Sequence, residues 1–137
     1  MTGYKKTLVD AYRRESLSFL QYVRQATPYA SAIDRPMLDR IREMAQGQLT
    51  EIEKLVDYLD RDRVTLPHLG AFPTEFTNYN FVAIRKLLPL LVVDETRGLE
   101  ALDRDVSCLI PGEARQRMEK LTEAKRMHLS DLQKLAT

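Results

Sequence analysis

Four long stretches of the chain repeat apolar residues at steps of three and four, the spacing of a helix with one buried face. This pattern predicts helices over about residues 3–25, 36–60, 75–105 and 113–135. Proline and glycine residues lie between the stretches, where they favour turns and helix ends. The predicted fold is all-α, an up-down four-helix bundle formed by a single domain over residues 1–137.

The connection between the second and third predicted helices is unusually long. It extends from Arg61 to about Thr74 and contains Pro67, Gly70 and Pro73. Neighbouring helices of a bundle are normally joined by short loops. A connection of this length predicts a crossover along the whole bundle, so that the third helix lies parallel to the second.

Each apolar stripe is interrupted near its middle by polar or charged residues that keep the same helical step. Because that step places them on the inward faces, helices of similar length would bring them to one level of the core. Charged side chains are rarely buried unless they are paired or bind a metal. The sequence therefore predicts a buried polar layer whose members satisfy one another or a ligand. Its members are Glu15 in the first helix, Gln48 and Glu51 in the second, Glu95 in the third, and Lys125 and His128 in the fourth.

This arrangement resembles the ferritin-like di-metal carboxylate proteins, which include the rubrerythrins and bacterioferritins. Those proteins take one glutamate from each of two helices and a Glu-x-x-His motif from each of the other two. The resemblance is architectural, covers essentially the whole chain, and implies a ferritin-like bundle with one crossover. In this sequence Glu15 and Glu95 stand at the single glutamates, and Gln48-x-x-Glu51 and Lys125-x-x-His128 stand at the two motifs.

Two departures from the family pattern change what the resemblance implies. Gln48 and Lys125 replace both motif glutamates, so the carboxylates that bridge the two metals in the family are missing. A lysine ammonium among Glu15, Glu51 and Glu95 can supply the charge compensation that metal ions supply in the family. We interpret the chain as a ferritin-like bundle with a degenerate di-metal site, a buried ion-pair network and no cofactor. This favours a structural or interaction protein over an enzyme.

Two alternatives stay open at this point. In the first, Glu15, Glu51, Glu95 and His128 hold one iron, manganese or zinc ion in an oxidoreductase of the same fold, since carboxylate and imidazole ligands suit such metals. In the second, the polar layer binds a small ligand through Lys125 and His128, which predicts a cavity near Lys125.

Composition and charge exclude several classes of function. The net charge is +1, so no strong field exists to attract nucleic acid or an anionic membrane. We find no glycine-rich phosphate loop and no dinucleotide fingerprint. Cys108 is the single cysteine and cannot form an internal disulfide, which fits a reduced, cytoplasmic setting.

The most apolar segment, Leu87 to Val93, is too short to span a membrane. It is apolar on more than one side of its predicted helix, so it needs cover beyond one buried face. We expect either a homodimer that packs through this segment or cover by the crossover, which contains Leu66, Leu69, Phe72 and Phe76.

Overall fold

A computed structural model describes residues 3–137 of the chain. This part of the chain is all-helical and contains no strand; Tyr29 and Ala83 form one isolated bridge. None of the helices described is long and apolar enough to cross a membrane. The helices are α1 (Tyr4–Ser16), α2 (Phe19–Gln25), α3 (Arg35–Arg61), a 3-10 helix (Thr74–Tyr79), α4 (Ile84–Ser107) and α5 (Glu113–Ala136). The all-α class predicted from the sequence is confirmed for these residues.

The helices pack around two separate clusters of buried apolar residues, and α5 contacts both α3 and α4 extensively. The first cluster comprises Phe19, Leu20, Val23, Leu38, Ile41, Met44, Ala45, Ile84, Leu87, Leu88, Leu91 and Leu132. The second comprises Leu8, Val9, Ala11, Ile52, Leu55, Leu59, Leu102, Leu109, Met118 and Leu121.

The order of the clusters along the chain gives the direction of each helix. Both α3 and α4 begin in the first cluster and end in the second, so they run in the same direction. α5 begins in the second cluster and ends in the first, so it runs in the opposite direction. The middle of each long helix lies between the two clusters.

The first predicted helix is wrong as one continuous element, because it is divided into α1 and α2. Ser18 adopts an extended backbone, and its Oγ accepts a hydrogen bond of 3.2 Å from the Gln21 N–H. The Asp94 carboxylate accepts another, of 2.9 Å, from the Phe19 N–H. The first N–H groups of a helix have no partner within the helix, and these two acceptors satisfy two of them at the start of α2.

The predicted start of the third helix at Glu75 is also wrong, since the α-helix begins at Ile84. Phe81, expected on the buried stripe, has a φ of 65° and is 75% exposed. The backbone around it bonds to the segment after α2: the Phe81 N–H donates to Thr27 O, and the Ile84 N–H to Tyr29 O. These hydrogen bonds replace the helical ones over residues 81–84.

The crossover covers α2 with aromatic side chains. The Phe76 ring lies 4.9 Å from the Phe19 ring, and the Phe72 ring lies 5.3 Å from the Tyr22 ring, measured between centroids. Aromatic pairs at such distances add attraction beyond the apolar area that they bury. The crossover is therefore attached to α2, above the first apolar cluster.

The apolar segment from Leu87 to Val93 is buried only in part. The side chains of Leu87, Leu88 and Leu91 belong to the first apolar cluster, whereas Leu90 and Val93 are 38% and 49% exposed. The homodimer expected through this segment stays a prediction, and only Leu90 and Val93 offer it exposed apolar surface.

Candidate functional site

Polar side chains from α1, α3, α4 and α5 meet between the two apolar clusters. Each helix changes from one cluster to the other near its middle, and the polar residues occupy those positions. The structure brings together Glu15, Gln48, Glu95, Lys125 and His128, all of them buried. We refer to these five residues as the polar layer.

The Lys125 ammonium lies at the centre of the polar layer and is fully buried. Its Nζ is 2.8 Å from Glu15 Oε1 and 2.6 Å from Glu95 Oε2. It donates hydrogen bonds to Glu95 Oε2 and, at 3.3 Å, to Gln48 Oε1. The contact with Glu15 is an ion pair without hydrogen-bond geometry. One cation therefore forms ion pairs with carboxylates from two helices, α1 and α4.

Gln48 connects the ion pairs to the imidazole of His128. Its Nε2 donates to Glu95 Oε1 at 2.7 Å and lies 3.2 Å from His128 Nδ1. Since an amide nitrogen can only donate, His128 Nδ1 must accept, which places the imidazole proton on Nε2. Rotating the amide by half a turn would place its nitrogen against the Lys125 ammonium, so this network fixes the amide orientation.

Gly98 makes room for the lysine. A Cβ atom at position 98 would lie 2.5 Å from Lys125 Cε and 3.3 Å from Glu15 Oε2. The first distance is too short for two carbon atoms that are not bonded to each other. The polar layer therefore depends on a residue without a side chain. The sequence prediction did not assign Gly98 a role, although a glycine in a helix interior often marks a close approach.

Arg14 completes the charge balance at the rim of the polar layer. Its Nε donates to Glu15 Oε2 at 3.0 Å, and its terminal nitrogen donates to Asp105 Oδ2 at 3.0 Å. The two buried carboxylates and one buried ammonium carry a net charge of −1, which the half-buried Arg14 offsets. The sequence prediction missed Arg14 because its position is adjacent to the inward stripe and not on it.

Burial and charge act against each other in the pKa values of the buried pair. Burial raises the pKa of the Glu95 carboxyl above its ordinary value, although Lys125 and Gln48 favour the charged form. Burial alone would lower the pKa of the Lys125 ammonium, but the charges of Glu95 and Glu15 outweigh it and raise that pKa. The lysine is therefore charged at neutral pH.

His128 lies at the other end of the polar layer and is neutral at neutral pH. Burial lowers the pKa of its imidazole, and the positive charges of Arg40 and Lys125 lower it further. The Asp131 carboxylate acts in the opposite direction but is bonded to Arg40 at 2.8 Å. A neutral ring agrees with the acceptor role of Nδ1 toward Gln48.

Glu51, expected in the polar layer, does not join it. It is half-buried, and its Oε1 accepts a hydrogen bond of 3.3 Å from Lys54 on the surface of α3. A step of three residues turns a helix by about 300°, so Glu51 lies roughly 60° from the direction of Gln48. Ile52, one residue later, takes the inward position and belongs to the second apolar cluster.

The residues present do not fit the metal ions that a ferritin-like fold implies. The Lys125 ammonium stands between the two carboxylates, His128 Nδ1 faces Gln48, and Glu51 lies outside the polar layer. Within residues 3–137, no group of three or more histidine, cysteine, aspartate or glutamate side chains is arranged to hold a metal ion. The ligand set Glu15, Glu51, Glu95 and His128 of the metal alternative is therefore not assembled.

Comparison of the chain with protein-family models, curated proteins and solved structures finds no match in any of the three.

Proposed function

We propose that this chain is a non-enzymatic ferritin-like four-helix bundle, a structural or interaction protein in which an ion-pair network replaces a di-metal site. One observation carries the proposal: the Lys125 ammonium lies within 2.8 Å of carboxylate oxygens from both Glu15 and Glu95. In the family these carboxylates bind metal ions. Here a side chain of the protein supplies the positive charge.

The helix directions support the ferritin-like part of the proposal. α3 and α4 run in the same direction and are joined by the long segment that contains the 3-10 helix, as a crossover requires. In this reading α1 and α2 together take the place of one bundle helix. The break at Ser18 then lies close to the level of Glu15.

The network gives the bundle a defined arrangement more than it adds stability. A buried ion pair gains little net free energy, because the desolvation of both charges offsets their attraction. A shift of one helix against another would, however, leave Glu15, Glu95 or Lys125 as an uncompensated buried charge. We infer that the polar layer selects one alignment of α1, α4 and α5.

Metal removal and replacement tests this proposal. The purified protein is treated with a chelator, dialysed, and melted with and without iron(II), manganese(II) or zinc(II), and its metal content is determined by elemental analysis. Because a ligand of the native state raises the melting temperature, a surviving site would give a concentration-dependent increase. We expect no increase and no stoichiometric metal. A stoichiometric metal that stabilises the fold would contradict the proposal.

A further inference from the structure

One face of α4 is exposed along most of the helix. Its residues recur at alternating steps of four and three, so they lie in one stripe on the helix surface. The apolar residues Leu90 and Val93 lie next to each other in this stripe, and charged residues lie on both sides of them. The stripe, called the α4 stripe below, comprises Lys86, Leu90, Val93, Arg97, Glu100 and Arg104.

The charged residues of the α4 stripe differ from their neighbours on the same helix in having no ion-pair partner. Arg85 is paired with Asp34, and Asp103 is paired with Arg126. No ion pair within the described residues 3–137 involves Lys86, Arg97, Glu100 or Arg104. The stripe therefore combines adjacent apolar side chains with unpaired charges of both signs, which is what a surface complementary to itself requires.

A second copy of the chain matches the α4 stripe when the two α4 helices pack antiparallel. In this arrangement Val93 lies on a two-fold axis and faces the partner's Val93. Lys86 and Glu100 are each seven residues from Val93, on opposite sides of it, and seven residues correspond to about two helical turns. Lys86 is therefore level with the partner's Glu100, and the symmetry places this pair in the dimer twice.

Other alignments of two α4 stripes place like charges together. In a parallel pair each residue is level with its own copy, so Lys86 faces the partner's Lys86. In an antiparallel pair with Leu90 level with the partner's Val93, Lys86 is level with the partner's Arg97. The alignment centred on Val93 avoids both conflicts and keeps the apolar contact in the middle.

We propose that the chain forms a two-fold homodimer through antiparallel α4 stripes, with Val93 on the axis and Lys86 paired with the partner's Glu100. Contact between the copies removes Leu90 and Val93 from water. Because only these two apolar residues of each stripe take part, we expect a weak dimer, with a dissociation constant of about 1–100 µM. The polar layer takes no part in this contact, so the dimer goes beyond the proposed function and does not depend on it.

Sedimentation velocity over a range of concentrations tests the proposal. We expect the sedimentation coefficient to rise from the monomer value toward the dimer value between about 1 and 500 µM. Val93→Glu places two carboxylates against each other on the axis, so this variant should stay monomeric. Met127→Glu, at an exposed position of α5, is the matched control and should dimerise like the original chain. An original chain that stays monomeric, or a dimer that Val93→Glu leaves intact, would overturn the proposal.

Charge reversal tests the alignment of the two helices. Lys86→Glu and Glu100→Lys each bring like charges together twice in the dimer. We therefore expect either substitution alone to raise the dissociation constant at least about tenfold. The double variant restores opposite charges at both places and should recover the affinity of the original chain. Failure of the double variant to recover it would overturn the proposal.

The matched control reverses two exposed charges of α5, Lys120 and Glu123, which form no ion pair in the part of the chain that the structure describes. We expect Lys120→Glu and Glu123→Lys to leave the dissociation constant unchanged. All four reversed positions are exposed, so the variants should keep the fold, and thermal unfolding of each variant checks this. Equal effects of the α4 and α5 reversals on dimerisation would overturn the proposal.

Discussion

At the scale of single residues, the polar layer depends on the long side chain of Lys125 fitting into the space left by Gly98, which has no side chain. Lys125 is fully buried because Gly98 leaves the space that its Cε and Nζ occupy. Neither residue by itself indicates a buried lysine in the sequence, since a glycine inside a helix usually only weakens that helix. The pair becomes recognisable when α4 and α5 are placed side by side.

Gly98→Ala should destabilise the protein even though alanine favours helix by about 1 kcal/mol over glycine. The added Cβ would lie 2.5 Å from Lys125 Cε, so the lysine side chain must move. That movement disturbs the ion pairs of Lys125 with Glu15 and Glu95. We expect a net loss of roughly 1–3 kcal/mol in the free energy of unfolding, typical of overpacking.

Gly47→Ala is the matched control in chemical denaturation. It makes the same change in helix propensity, but its Cβ would lie 3.2 Å from His128 Cε1, a milder contact. We expect a clearly smaller loss. A Gly98→Ala protein as stable as the original chain would show that Lys125 is not confined.

His128 makes the stability of the fold decrease in weak acid. Its folded pKa lies below the ordinary value of 6.5, so the unfolded chain binds a proton more readily. The contribution of His128 is therefore complete above pH 6.5 and is lost as the pH falls through the folded pKa. Glu95 has the opposite slope, because its folded pKa is raised above the ordinary value of 4.5, so its contribution is complete at low pH and is lost as the pH rises through the folded pKa.

The difference in unfolding free energy between the chain and His128→Gln, measured from pH 8 to pH 5, isolates this effect. We expect the difference to change below about pH 6.5. A difference that is independent of pH would mean that the imidazole titrates alike in both states.

At the scale of elements, periodicity predicted which segments are helical but not where helices are interrupted. Ser18 lies inside an amphipathic stretch, and its side chain competes with the helix by bonding the Gln21 N–H. Its partner in the interruption, Asp94, is distant in sequence. The late start of α4 likewise depends on pairing with Tyr29, a contact that local propensity does not contain.

Loss of the Ser18 side chain should weaken the start of α2. Ser18→Ala removes the cap on the Gln21 N–H, and we expect a loss of about 1 kcal/mol in unfolding free energy. Ser130→Ala, at an exposed position inside α5, is the control and should be nearly neutral. Equal effects of the two substitutions in thermal or urea unfolding would show that the cap contributes nothing.

At the candidate site, periodicity predicts most of the residues that lie in the polar layer, but packing determines which residue of α3 follows Gln48 on the inward face. Five of the six expected residues lie in the polar layer, since each sits where its helix passes between the two apolar clusters. Glu51 does not, because steps of three and of four both keep a helical stripe and the sequence does not say which is used. Gln48 is followed by Ile52 on the inward face of α3.

At the scale of the whole molecule, the polar layer lies between two apolar clusters and connects α1, α3, α4 and α5. Its contacts form one continuous series from Asp105 and Arg14 through Glu15, Lys125, Glu95 and Gln48 to His128. If these residues act as a unit, substitutions in it should not be additive, because each changes the environment of the others.

A double-mutant cycle on Lys125→Met and Glu95→Gln tests this central claim most directly. Removing Lys125 alone leaves the buried Glu95 without a cation and Glu15 paired only with the half-buried Arg14, so we expect a loss of roughly 3–5 kcal/mol in unfolding free energy. Glu95→Gln added to that variant should cost much less than it does in the original chain.

The corresponding cycle on Lys54→Met and Glu51→Gln is the control, because that pair lies at the surface of α3. Its coupling energy should not exceed about 1 kcal/mol, as is usual for exposed pairs. We predict a larger coupling for Lys125 and Glu95, up to roughly 3 kcal/mol. Additive effects of Lys125→Met and Glu95→Gln would contradict a lysine that holds the carboxylates together.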